Sequence, residues 1–151
     1  MSLNIKKISE EDYVQLDCRV LFENNLTDRA FGVISSKDKH YKFSWQSDIV
    51  QPSIIEIKNN IYSVGIDLNY TIVDFNKNTV LLRIELENFL LKTLIYNNTL
   101  YVITELEVYL ISIINFSVIE MIDLPDIFID IVFEEDSVNI KCFGGEKVLV
   151  N

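Results

Sequence analysis

From residue 53 onward the chain alternates short apolar runs with polar breaks of two or three residues. Within the runs the period is two, as in half-buried strands. The pattern predicts strands at 54–58, 61–66, 70–75 and 79–86, turning at Asn59 and Asn60, at 67–69 and at 76–78. A second set follows at 89–96, 99–104, 108–114 and 118–124, turning at Asn97 and Asn98, at 105–107 and at 115–117. A third gives 127–133, 137–143 and 146–150, with Gly144 and Gly145 as a tight hairpin turn. Runs of β-branched and aromatic residues with such brief connections predict an antiparallel meander.

These sets echo one another at a fixed spacing of about 38 residues, which marks a repeated supersecondary unit. Ile57, Ile95 and Phe133 share one phase; Asn59 and Asn60, Asn97 and Asn98, and Glu135 and Asp136 share the next; Tyr62, Leu100 and Val138 follow. Val64 with Val102, Leu68 with Leu106, Val80 with Val118, Ile84 with Ile122 and Leu86 with Leu124 extend the match between the first two copies. A unit of about 40 residues holding four short strands has the size of a propeller blade. The fold expected is therefore all-β, with antiparallel meander sheets repeated at this period in a propeller-like open arc, a half-propeller. A two-layer β-sandwich is the alternative.

The chain reads as a single domain, 1–151, with N-terminal strands in 1–52 and repeats at 53–90, 91–128 and 129–151. Leu16, Cys18, Val20 and Phe22 alternate along one face of an expected strand, 31–34 forms another, and Tyr41, Phe43 and Trp45 line one face of a third. The third repeat stops after three strands, and the first 52 residues are candidates to supply the missing one. Ser9 followed by Glu10, Glu11 and Asp12 is a candidate helix cap.

An apolar fraction of 49% excludes a disordered chain. With only four Gly and two Pro, the turns fall to Asn and Asp, which tolerate left-handed backbone angles. Cys18 and Cys142 lack metal-binding spacing and read as free thiols rather than a disulfide. No signal peptide opens at Met1 and Ser2, and no run of eighteen apolar residues occurs, so a cytoplasmic location is expected. The sequons at Asn25, Asn69, Asn97 and Asn115 then have no role.

No catalytic motif stands out. The single histidine, His40, lies in a charged connector with no orienting acid or nucleophile at motif spacing. Asp123, Asp126 and Asp130 do not have the spacing of a calcium loop, and no Gly-rich phosphate loop or Gly-x-Ser-x-Gly occurs. The expectation is a non-enzyme with no metal or cofactor.

Charge says more. Between 93 and 140 there is no Lys or Arg, and nine acids fall there against a net charge of −10 for the whole chain. Strict alternation in 126–131 places Asp126, Phe128 and Asp130 on one face. Acids flanking an aromatic make a partner-facing strip, for which the candidate residues are Asp126, Phe128, Asp130, Glu134, Glu135 and Asp136, with Glu105 and Glu107 as outer members. The plainer reading of the same acids is solubility and protection of strand edges. Nucleic acid and anionic membrane surfaces are excluded as partners by the sign of the charge.

In size, acidity and AT-rich composition the chain resembles the bacterial immunity proteins that neutralise a cognate toxin nuclease. That resemblance implies a basic protein partner whose phosphate-binding active site is covered by the acidic strip. The alternative function is a scaffold: a β-repeat module that completes a larger assembly by homo-oligomerisation or by joining another chain.

Overall fold

Asn59, Asn60, Asn97 and Asn98 all hold left-handed backbone angles, with φ of 22°, 65°, 47° and 60°, so the turns do rest on asparagine. Each pair closes a hairpin and then anchors the next turn. The Phe75 amide donates to Asn60 O at 3.0 Å, and one period later the Ile113 amide donates to Asn98 O at 3.1 Å. In the computed structural model, which describes residues 3–24, 27–47 and 49–150, the period is thus one of backbone geometry as well as of sequence. The Asn25 sequon and the first two residues lie outside the described residues.

The second sheet contains β5 (Ser53–Lys58), β6 (Ile61–Ile66), β7 (Asn69–Asp74) and β8 (Thr79–Glu85) in chain order. One period on, β9 (Leu90–Tyr96), β10 (Thr99–Thr104), β11 (Glu107–Ser112) and β12 (Val118–Asp123) form the third. The fourth has three strands, β13 (Phe128–Phe133), β14 (Val138–Cys142) and β15 (Lys147–Val150). Every pairing in these sheets is antiparallel between chain neighbours. The all-β class and the blade-like sheets repeating at that period are those read from the sequence. Four separate sheets replace the two layers of a sandwich.

Even the irregularities recur. A bulge leaves Leu81 unpaired where β7 meets β8, and Ile119 unpaired where β11 meets β12. Another leaves Leu91 unpaired between β9 and β10, and Ile129 unpaired between β13 and β14. The members of each pair stand one full period apart.

The strands within residues 1–52 make a sheet of their own, and among the described residues none of them pairs with the fourth. They are β1 (Asn4–Ile8), β2 (Arg19–Phe22), β3 (Ala30–Ser36) and β4 (Lys39–Trp45), in the order β1-β3-β4-β2 with β2 parallel to β4. The strand expected around Leu16 and Cys18 is shorter, because a six-residue helix, α1 (Glu10–Gln15), precedes it. Ser9 caps α1, its Oγ accepting from the Asp12 amide at 3.1 Å. A bulge in β2 then buries both Leu21 and Phe22 and leaves Val20 exposed. Lys42 lies under α1, donating to the carbonyls of Tyr13 and Leu16 at 2.8 and 2.9 Å.

The chain divides into two compact units, 1–85 and 86–151. In the first, Tyr41, Phe43 and Trp45 of β4 pack with Tyr62 and Val64 of the second sheet and with Phe75 in the turn after β7. In the second, Tyr101, Ile103 and Leu110 of the third sheet pack with Phe128, Ile131, Ile140 and Val150 of the fourth. Cys18 is half-buried, Cys142 is buried, and both are free. Among the described residues no helix is long and apolar enough to cross a membrane.

Candidate docking surface on the second unit

The two units differ in charge. Residues 1–85 carry ten cations and twelve acids; residues 86–151 carry three and eleven, a net −8. Folding divides the expected acidic strip rather than displaying it whole.

Glu105 and Asp126 lie at the end of the unit where the Phe128 amide reaches the β10–β11 turn. Glu105 is half-buried in the β10–β11 turn, and its carbonyl accepts from the Phe128 amide at 2.8 Å. Asp126, also half-buried, takes the Ile127 amide on Oδ1 at 2.8 Å. Glu134, Glu135 and Asp136 form the β13–β14 turn at the other end and are exposed. A six-residue strand separates the two groups by about 20 Å.

Two members of the expected set are buried. Glu107 keeps 3% of its surface in solvent. Its Oε1 accepts from Thr104 Oγ1 at 3.0 Å and from Asn88 Nδ2 at 2.8 Å, while its amide donates back to Thr104 Oγ1 at 2.9 Å. It is a structural acid at the start of β11, with its carboxylate spent on Thr104 and Asn88. Phe128 keeps 7% and belongs to the core. The bulge at Ile129 breaks strict alternation, so Phe128 and Ile131 share the inner face while Ile127 and Ile129 are exposed, at 47% and 49%. The Lys92 ammonium lies 5.4 Å from the Phe128 ring centroid.

Asp130 is exposed, with Oδ1 accepting the Ile131 amide at 2.8 Å. Together with Val132 and Glu134 it lines a shallow outer groove of about 280 Å³, shared with Asn139, Lys141 and Lys147. Those two lysines answer Asp130, so this stretch of the strip is not one-signed.

The 134–136 turn borders a second groove, of about 300 Å³, lying between the third and fourth sheets. Its floor includes Tyr101, Leu110, Ile119, Val138 and Val150, and no Lys or Arg lines it. Tyr96 fixes the wall: its ring stacks on Phe133 with centroids 4.5 Å apart, and its hydroxyl donates to Glu134 O at 3.2 Å. Tyr101 meets Phe133 edge-on at 5.1 Å. Burial raises the Tyr101 hydroxyl above its ordinary range, with the Tyr96 hydroxyl adding to the effect. Nothing in the sequence alone singles out Tyr96 or Tyr101, although Tyr96 stands one period before Glu134.

In the first unit, an open cleft of about 520 Å³ is lined by Lys6, Asp12, Gln15, Ser35 and the exposed His40 beside α1. His40 is on strand β4, not in the charged connector the sequence suggested. Among the described residues no three His, Cys, Asp or Glu side chains are grouped to hold a metal ion.

No protein-family description matches the chain, and no curated protein matches it in sequence. Two solved propeller-like structures are similar in form. BamB from Moraxella catarrhalis is 14% identical, with a TM-score of 0.48 over 99% of this chain and 49% of its own. Hsv2 from Kluyvelomyces marxianus is 11% identical, with a TM-score of 0.45 over 85% of this chain and 48% of its own. The chain spans about half the length of each.

Proposed function

We propose that this chain is a non-catalytic β-repeat module that binds another protein chain and so completes a larger assembly. The observation that carries this reading is the exposed apolar surface of the second unit, where Ile119, Ile129, Val132 and Leu149 stay 58%, 49%, 50% and 59% exposed. Exposed apolar residues rimmed by charge mark sites of protein–protein contact.

Sedimentation velocity tests the reading, on the full chain alone up to about tens of micromolar and after co-expression with its genomic neighbours. A defined oligomer or a stoichiometric heterocomplex is expected. A strictly monomeric chain under both conditions would overturn it.

A second reading is favoured by the exposed, unbroken acidic turn at 134–136. In this version the module is an immunity protein acting in the cytoplasm, and the turn covers the basic active site of a toxin nuclease. Co-expression with the protein encoded immediately upstream tests it. Growth rescue, lost when Glu134, Glu135 and Asp136 are neutralised together, is the expected result; absence of toxicity sinks this version alone.

A further inference from the structure

We propose that the cleft beside α1 binds a small zwitterion with an apolar body, of the size of a tripeptide with both termini free. Every residue of its lining falls within 4–40, so the inference goes beyond the protein-binding reading and stands apart from it.

Strand register lays out the floor. Asn4 pairs with Ser35 and Ser35 with His40, so three polar side chains stand in one row across β1, β3 and β4. The next row on the same face is Lys6, Val33 and Lys42, and the third is Ile8, Phe31 and Ser44. α1 covers the far end of this face. Tyr13 meets the Phe31 ring at 5.1 Å, and Lys42 is spent on the carbonyls of Tyr13 and Leu16. What stays open is the polar row with Lys6, Ile8 and Val33, in a cleft of about 520 Å³. Small-molecule sites have volumes of this order.

Helical spacing supplies the wall. Asp12, Gln15 and Leu16 stand three and four residues apart on one side of α1 and its C-cap, and all three line the cleft.

Charge chooses the ligand. Lys6 and Asp12 bring one cation and one anion, and neither side chain has an ion pair or hydrogen bond among the described residues. The side chains of Asn4, Gln15, Ser35 and His40 are equally unspent. A simple anion would meet Asp12 and a simple cation would meet Lys6, each at a cost. A ligand carrying both charges answers both. Its carboxylate lies over Ser35, whose row neighbours Asn4 and His40 stand about 5 Å to either side, with Lys6 on the diagonal. Its ammonium faces Asp12, and an apolar side chain between them rests on Val33, Ile8 and Leu16. Ser35 and Phe31, the residue beneath α1, are four positions apart on β3, about 13 Å. An extended tripeptide covers about 10 Å of that and leaves the rest to the Asp12 side chain.

Titration calorimetry on the full chain, at neutral pH and low salt, tests the proposal with four forms of alanyl-leucyl-alanine. One has both termini free, one is acetylated, one is amidated, and one is blocked at both ends. The free form should bind, and each block should weaken it about ten-fold, as for the loss of a charge-assisted hydrogen bond. Lys6→Gln should cost the free form as much as amidation does and leave the amidated form unchanged; Asp12→Asn should pair with acetylation in the same way. Both substituted residues are exposed, and the blocked peptides repeat the test without altering the protein. His40 is the chain's single histidine, so its ring gives one set of proton signals, which should move as the free peptide is added. Equal binding of the four forms, or a preference for a blocked one, overturns the proposal. So does binding that leaves the His40 signals in place, or a free form that does not bind at about 10 mM.

Discussion

Tyr96 donates its hydroxyl to the carbonyl of Glu134, the residue one whole period further along the chain, at 3.2 Å. The repeat is thereby tied to itself, with the first hairpin of one copy reaching the next. Tyr96→Phe keeps the stacking on Phe133 and removes only the hydrogen bond. It should cost about 0.5–1.5 kcal/mol in denaturant unfolding. It should also loosen the 134–136 turn, read as faster amide exchange there.

Bulge and strict alternation make opposite predictions in β13. With Phe128 in the core, Phe128→Ala should cost about 3–5 kcal/mol by chemical denaturation. Ile129→Thr, at an exposed and unpaired position, should stay within about 0.5 kcal/mol of the parent. If the two values were reversed, the β13 register would be wrong and Phe128 would return to the surface.

The left-handed turns are testable at Asn98, whose φ is 60°. Asn98→Gly should be neutral within about 0.5 kcal/mol, since glycine takes this conformation without strain. Asn98→Val should cost about 1–3 kcal/mol, because a β-branched residue resists positive φ. Thermal unfolding of the two variants side by side decides it.

Alkali should destabilise the fold. Burial pushes the phenols of Tyr13, Tyr41, Tyr62, Tyr70, Tyr101 and Tyr109 above their ordinary value, and the thiols of Cys18 and Cys142 likewise. Each raised group stays neutral in the folded chain while the unfolded chain ionises first. The stability they contribute is complete below about pH 9 and declines as pH rises through about 10 and beyond. Denaturation midpoints that hold constant from neutral pH to about pH 11 would contradict this. Tyr70 is the sharpest case, since its hydroxyl and Ser63 Oγ are buried with no hydrogen-bond partner among the described residues. Tyr70→Phe should be neutral or stabilising and should shrink the alkaline loss.

Strands 61–66 and 99–104 match the sequence reading to the residue, because an asparagine pair before each and a polar turn after it punctuate the apolar run. The N-terminal sheet was less legible. β2 finds its partner beyond β3, in β4, through a parallel pairing that no local period encodes. At the candidate docking surface, the exposure of 134–136 was legible because three consecutive charges have no room in a core. Glu107 was not, since its partners Thr104 and Asn88 converge only on folding. Phe128 was misplaced by a single extra residue. The three apolar residues in a row at 127–129 were the available sign, as alternation cannot bury all of them.

Consecutive pairing has a consequence for synthesis. The second, third and fourth sheets can each be laid down hairpin by hairpin as the chain leaves the ribosome, every strand finding its neighbour already made. The first sheet cannot: β2 waits, exposed, until Tyr41 and Phe43 of β4 have emerged, and β1 until β3 has. Within that sheet the strand made first is therefore among those that must wait, and the six-residue α1, even with its serine cap, is too short to hold by itself in the meantime.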